Sequence, residues 1–157
     1  ACADSSYADC KPSRKSAMAY GLFVNNTVFS WKSCLSSIVA KSTCEAELMA
    51  YCSCACEVLY ARKLAAELEF CQLSPSKIYA DNEGAMVLVK NMHLRNRSKH
   101  IALRFSFAQI LYQLGQIKPV AVPSIDQHAD IGTKATGQPI FDRHVPVWLG
   151  EILPTKS

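Results

Sequence analysis

The spacing of apolar and polar residues changes along the chain, and it predicts a mixed α/β domain. Residues 17–24 (AMAYGLFV) and 27–32 (TVFSWK) read as strands, rich in aromatic, β-branched and small apolar side chains. Asn25 and Asn26 lie between them. Two asparagines tolerate the positive φ that a tight hairpin turn needs. Residues 35–40 (LSSIVA) supply a candidate third strand. Ser42-Thr43-Cys44-Glu45 then fits S-x-x-E, the capping box that opens a helix. That helix is expected to run to about Phe70. Between Leu48 and Cys56 only Ser53 is polar, so its first turns should be buried nearly all round.

The second half alternates strands and helices. Residues 77–80 (KIYA) read as a short strand ending at Asp81, and a helix from about Asn82 to Lys90 follows. Apolar side chains at 101, 105, 108, 111 and 112 have helical spacing, and Gly115 stands where a helix-ending glycine belongs. Residues 117–122 (IKPVAV) look like a last strand. Pro119 cannot donate to a ladder, which predicts an edge position. A short helix from about Asp126 to Lys134 and an irregular tail, 135–157, complete the expectation. No repeat or low-complexity segment interrupts it.

Composition narrows the class. The 157 residues are 50% apolar and 19% charged, the balance of one globular domain rather than a disordered chain. No apolar run approaches bilayer length, so no membrane partner is expected. The first residue is Ala1, and no basic-then-apolar signal follows. The expectation is a single domain cut from something longer. Cysteines stand at 2, 10, 34, 44, 52, 54, 56 and 71, with no C-x-x-C pair. Free thiols in a reducing compartment explain them better than a disulfide frame or a zinc site. Net charge is only +4, but it is uneven. Gly84 to Ile125 holds no Asp or Glu, while Lys90, Arg95, Arg97, Lys99, Arg104 and Lys118 fall inside it. A block of one sign suits a polyanion-facing surface or a solvated face.

Most of the 13 acidic residues have ordinary places. Glu45 is a cap, and Glu57, Glu67 and Glu69 fall on later helical turns where exposure is expected. Four others do not. Asp4 follows a strand-like start. Glu47 opens an apolar helical run, Asp81 ends a strand, and Asp130 lies in the short helix after the last strand. Strand ends are where ligands gather in α/β sheets. Four carboxylates converging there would need a cation between them to stay ionised. Hard oxygen donors favour Mg²⁺, with Mn²⁺ able to substitute. Two such ions about 4 Å apart can clamp the attacking and leaving oxygens of a phosphodiester.

Four ordered motifs sharpen this reading. Lys41-Ser42-Thr43-Cys44-Glu45-Ala46-Glu47-Leu48, Tyr79-Ala80-Asp81-Asn82-Glu83-Gly84-Ala85, Arg97-Ser98-Lys99-His100-Ile101 and the run Val122–Lys134 (VPSIDQHADIGTK) occur in this order. With Ala3-Asp4-Ser5-Ser6-Tyr7-Ala8-Asp9 before them, they make the chain resemble the ribonuclease H domain of copia-type long-terminal-repeat retrotransposon reverse transcriptase polyproteins. The resemblance covers nearly the whole chain. It implies a ribonuclease-H-like fold: a five-stranded mixed sheet with helices on both faces, strands one to three antiparallel, strands four and five parallel to the first. The first strand would be truncated, with only three residues before Asp4. It implies the tetrad Asp4, Glu47, Asp81 and Asp130 as catalytic metal ligands. Asp4 would bridge both ions, Glu47 and Asp81 would hold the leaving-group ion, and Asp130 the water-activating one.

The activity so implied is hydrolysis of the RNA strand of an RNA–DNA hybrid during retroelement reverse transcription, leaving a 5′-phosphate and a 3′-hydroxyl. A required ribose hydroxyl would distinguish RNA from DNA. Lys90, Arg95, Arg97 and Lys99 are the candidates for holding the DNA strand through its phosphates. The resemblance also implies an upstream reverse transcriptase or connection domain as partner. The implied location is cytoplasmic, in a virus-like particle, or nuclear. His128 is expected to be a surface or structural residue, and His100 a packing residue. The competing class is a nucleic-acid-binding module that keeps the fold and has lost turnover. Hybrid cleavage by the purified domain separates the two.

Overall fold

The computed structural model describes residues 1–70, 72–91 and 99–151, with backbone alone for 99–104. Its elements in chain order are β1 (Cys2–Ser6), β2 (Ala17–Val24), β3 (Thr27–Leu35), α1 (Thr43–Glu67), β4 (Ser76–Ala80), α2 (Glu83–Lys90), α3 (Lys99–Gln113), β5 (Ile117–Ala121), two 3-10 turns (Ser124–Asp126 and His128–Gly132) and α4 (Gln138–Trp148). The five strands form one sheet in the order β3-β2-β1-β4-β5. β1, β2 and β3 pair antiparallel, while β4 is parallel to β1 and β5 parallel to β4. This is the ribonuclease-H-like arrangement. β5 lies at an edge, so Pro119, opposite Ile78, withholds no N–H from a second neighbour.

Local chemistry explains the elements. Asn25 and Asn26 adopt φ of 48° and 66° and close the β2–β3 hairpin. Ser42 Oγ accepts from the Glu45 N–H at 3.2 Å and caps α1. Glu45 bonds back one residue earlier than a capping box requires, taking the Lys41 N–H at 2.5 Å. The first turns of α1 are buried from Ala46 to Cys52, as their composition predicts. Leu48, Tyr51, Ala55 and Val58 join Leu22, Ile78, Val89, Phe105 and Leu111 in the main core. Met49 and Ala50 join Met18 and Ala40 in a smaller cluster. No disulfide joins the described cysteines, and Cys2 and Cys54 are buried.

The structure corrects several boundaries. Residues 36–40 form no strand. β3 instead continues from Thr27 to Leu35 because Ser33, Cys34 and Leu35 pair with Ala19, Met18 and Ala17. α1 ends at Glu67, and the left-handed Glu69 (φ 64°) turns the chain away. Glu57 is not a solvent-facing residue. It is half-buried and accepts hydrogen bonds from Ser30 Oγ (2.7 Å) and Tyr20 OH (3.4 Å). The helix expected over 126–134 is two short 3-10 turns. The tail expected to be irregular contains α4, which starts with Pro139 in its first turn and buries His144 and Val147. Its Trp148 packs on Phe23 in a T-shaped contact with centroids 5.6 Å apart.

Candidate metal centre

Sheet register brings two of the acids together. Cys2 lies opposite Tyr79 in the parallel β1–β4 pair. Two residues on, the same register sets Asp4 beside Asp81, since side chains two apart share a face. α1 crosses β1 and supplies Glu47 from its second turn. Asp4 and Glu47 are buried and Asp81 is half-buried. Each offers one carboxylate oxygen, and these oxygens lie within 4.8 Å of one another.

Hydroxyls orient all three carboxylates. Ser5 Oγ donates to Glu47 Oε1 at 2.9 Å. Ser124 Oγ donates to Asp81 Oδ2 at 2.8 Å. Thr133 Oγ1 lies 2.5 Å from Asp4 Oδ2 and 3.1 Å from the Asp130 carbonyl oxygen. Its single proton goes to the nearer, charged acceptor. Sequence reasoning missed Ser5, Ser124 and Thr133. Ser124 and Thr133 lie within the Val122–Lys134 motif, and Ser5 follows Asp4, so adjacency to the acids was the available signal.

Asp130 does not belong to the group of three mutually close oxygens, yet it is tied to it. It sits on the second 3-10 turn, joined through Thr133 to Asp4. Its Oδ2 pairs with Lys134 Nζ at 2.7 Å. Fully buried Gln127 fixes the start of that turn, donating to the Ala3 carbonyl at 2.9 Å and accepting from the Ala129 N–H at 3.3 Å. From the other side, Trp148 Nε1 donates to the His128 carbonyl at 2.8 Å, and the Nδ1 atoms of His128 and His144 lie 2.9 Å apart. His128 is thus a half-buried packing residue.

The electrostatics follow from crowding. Burial pushes the Asp4 carboxyl up to about 6; the Thr133 bond opposes this, while the charges of Asp130 and Asp81 add to it. Burial, then the Asp4 charge, pushes Glu47 up to about 8, against the bond from Ser5. For Lys134 burial works against the charge, but the bond to Asp130 and the nearby carboxylates raise its pKa. Two buried carboxylate oxygens, Glu47 Oε2 and Asp130 Oδ1, have no hydrogen-bond partner among the described residues. Unsatisfied hard oxygen donors in a crowded acidic site fit a divalent cation such as Mg²⁺ or Mn²⁺.

Of the four cationic candidates, Lys90 is exposed at the end of α2. Lys99 is the first residue of α3. Its side chain, with Arg95 and Arg97, lies outside the described residues, as does the His100 side chain.

Fold and site together define an α/β domain of ribonuclease-H-like fold with a carboxylate cluster where β1 and β4 run side by side. No family model matches the chain. It is 31% identical to the Retrovirus-related Pol polyprotein from transposon RE1 of Arabidopsis thaliana, over 88% of its own length and 9% of that protein. It is 32% identical to the corresponding polyprotein from transposon RE2 of the same plant, over 80% of the chain and 9% of that protein. It is 29% identical to that from transposon TNT 1-94 of Nicotiana tabacum, over 82% of the chain and 10% of that protein. The chain is a homologue of one segment of these copia-type Pol polyproteins, and spans about a tenth of the length of the relatives it matches.

Proposed function

We propose that this domain is a metal-dependent endonuclease that cuts the RNA strand of RNA–DNA hybrids, acting beside an upstream reverse transcriptase region of the same polyprotein. The observation that carries the reading is the meeting of Asp4, Glu47 and Asp81 within 4.8 Å in a ribonuclease-H-like domain related to transposon Pol polyproteins. Asp4, Glu47, Asp81 and Asp130 would hold the two divalent ions. When bound, the ions lower the pKa of water and stabilise charge on the attacking and leaving oxygens. The chain's own residues do the positioning. Ser5, Ser124 and Thr133 fix which carboxylate oxygens face the cluster. Gln127 and Trp148 hold the turn that carries Asp130. Lys134 offsets charge at its rim. The products are an RNA 5′-phosphate and a 3′-hydroxyl, and the working compartment is a cytoplasmic virus-like particle or the nucleus.

A labelled RNA–DNA hybrid offered to the purified domain tests this. With Mg²⁺ or Mn²⁺ the RNA is cut and the DNA is not, chelation stops the reaction, and Asp81→Asn abolishes it while leaving the circular-dichroism spectrum unchanged. Hybrid binding without cutting under either metal would contradict the enzyme reading and favour a binding module.

A further inference from the structure

The segment joining β1 to β2 carries cations that lie outside the Gly84–Ile125 block of the sequence. Within residues 7–16 (YADCKPSRKS) Lys11, Arg14 and Lys15 face a single acid, Asp9. Lys11 and Arg14 are exposed and Lys15 is half-buried. None of the three is in an ion pair with a described residue. Three cations against one acid within ten residues leave a net repulsion, so a free loop would tend to separate them.

This loop is not free. The Arg14 N–H donates to the Cys10 carbonyl at 2.7 Å, and the Cys10 N–H donates to the Lys15 carbonyl at 3.1 Å. Below that closed turn the fully buried Ser16 accepts the Ala8 N–H at 3.1 Å. Ser16 and buried Ser36 exchange two bonds: Ser16 N–H to Ser36 Oγ at 3.1 Å, and Ser36 N–H to the Ser16 carbonyl at 2.8 Å. Ala8 and Arg14 both sit in the left-handed region, at φ 51° and 54°. A non-glycine residue is held there at a cost, and such positions concentrate at working surfaces. The frame therefore fixes where the three cations leave the backbone.

Its location gives the frame a use. β1 runs from Asp4 through Ser5 and Ser6 straight into this loop. Seven residues of fully extended chain bound the separation of Asp4 and Lys11 at about 25 Å, and the fold-back of the turn shortens it. In the strand order, β2 flanks β1 on one side and β4, with Asp81, on the other. The loop thus leaves β1 at the strand's C-terminal end, on the β2 side of Asp4, with β4 and Asp81 on the other side. A duplex that laid one strand on the carboxylates would extend its phosphates toward this loop.

We propose that the β1–β2 loop binds the sugar–phosphate backbone of the hybrid on the β2 side of the carboxylate cluster, through Lys11, Arg14 and Lys15. The proposal rests on the hybrid-cleavage reading above. These contacts are to phosphate, so they position the duplex without reading its sequence.

The test compares hybrid binding by the domain with and without the loop charges, in an Asp81→Asn background with Mg²⁺ so that binding is read without turnover. The loop variant is Lys11→Gln/Arg14→Asn/Lys15→Gln. Asparagine is chosen at 14 because it tolerates left-handed φ. The control is Lys63→Gln/Lys77→Gln, compared with the double loop variant Lys11→Gln/Lys15→Gln, which removes the same charge. Lys77 lies at the start of β4, the opposite end from the cluster, and Lys63 lies late in α1. The expected result is at least about tenfold weaker binding by the loop variant at low salt. The slope of log affinity against log salt should fall by about 2–3, near 0.9 for each phosphate that is no longer neutralised. The control should change neither by a comparable amount. Equal losses in the double loop variant and the control, or no loss in the loop variants, would overturn the proposal while leaving the hybrid reading intact. Failure of the loop-intact protein to bind hybrid would overturn both. Should the triple variant unfold, Lys11→Gln and Lys15→Gln singly decide, each expected to lower the slope by about 1.

Discussion

Glu47 is the carboxylate of the cluster whose charge burial disfavours most, and Glu47→Gln should expose that as a change in pH dependence. Its carboxyl is lifted from 4.5 to about 8, first by burial and then by the Asp4 charge. Between those values the folded state keeps a proton that the unfolded chain has released. Stability from this group is therefore complete below about 4.5 and is lost as pH rises toward 8. Asp4 behaves likewise, between 3.8 and about 6. Above pH 6 the carboxylate part of the slope belongs mainly to Glu47, while His128 and His144, held below 6.5 first by burial, contribute with the opposite sign and alike in wild type and variant. At about 1.36 kcal/mol per unit, about 2 kcal/mol of the Glu47 contribution should disappear between roughly pH 6 and pH 8. Glutamine cannot ionise. Its Oε1 can still accept from Ser5, and its amide replaces Glu47 Oε2, which has no hydrogen-bond partner among the described residues. Urea unfolding followed by circular dichroism, in chelator, should show the stability of wild type relative to Glu47→Gln falling by about 2 kcal/mol over that window. Saturating Mg²⁺ should restore much of the loss in wild type and little in the variant. Parallel pH profiles for the two proteins in chelator would refute the reasoning.

Three further outcomes follow from individual contacts. Thr133→Val keeps shape but removes the donor to Asp4; it should cost about 1–3 kcal/mol at neutral pH and move the Asp4 titration, read by NMR, still higher than about 6. Gly21→Ala would place a Cβ 2.8 Å from Trp148 Cη2, so it should lower the unfolding midpoint by an amount worth about 1–3 kcal/mol and alter the near-ultraviolet tryptophan signal. Trp148→Phe keeps an aromatic ring but loses the bond to the His128 carbonyl; about 1 kcal/mol of stability should go, and hybrid cleavage should fall more than hybrid affinity, because Asp130 sits on the turn that bond holds.

What the sequence reveals depends on how local the cause is. The Asn25–Asn26 hairpin and the Ser42 cap act over a few residues, and both were legible. Pro119 marked the sheet edge for the same reason. α4 was not legible because it carries Pro139 and Pro146 and buries only His144 and Val147, too thin a stripe to read as helical period. Glu57 read as exposed because helix position alone does not reveal that Ser30 and Tyr20 on the sheet reach it. The four acids could be picked out by their places at strand ends and helix starts and by motif resemblance. Their distances could not, because the Asp4–Asp81 juxtaposition comes from a parallel register between distant segments. Nor could the orienting hydroxyls, since serine and threonine are mostly solvated.

The most direct measurement is a crystal structure of the domain soaked in Mn²⁺, with the anomalous signal used to find the metal. Two peaks among the carboxylates of Asp4, Glu47, Asp81 and Asp130, absent from Asp81→Asn crystals at one or both positions, are the predicted result. A saturated soak with no peak within coordination distance of Asp4, Glu47 and Asp81 would contradict the claim that these residues form a metal centre.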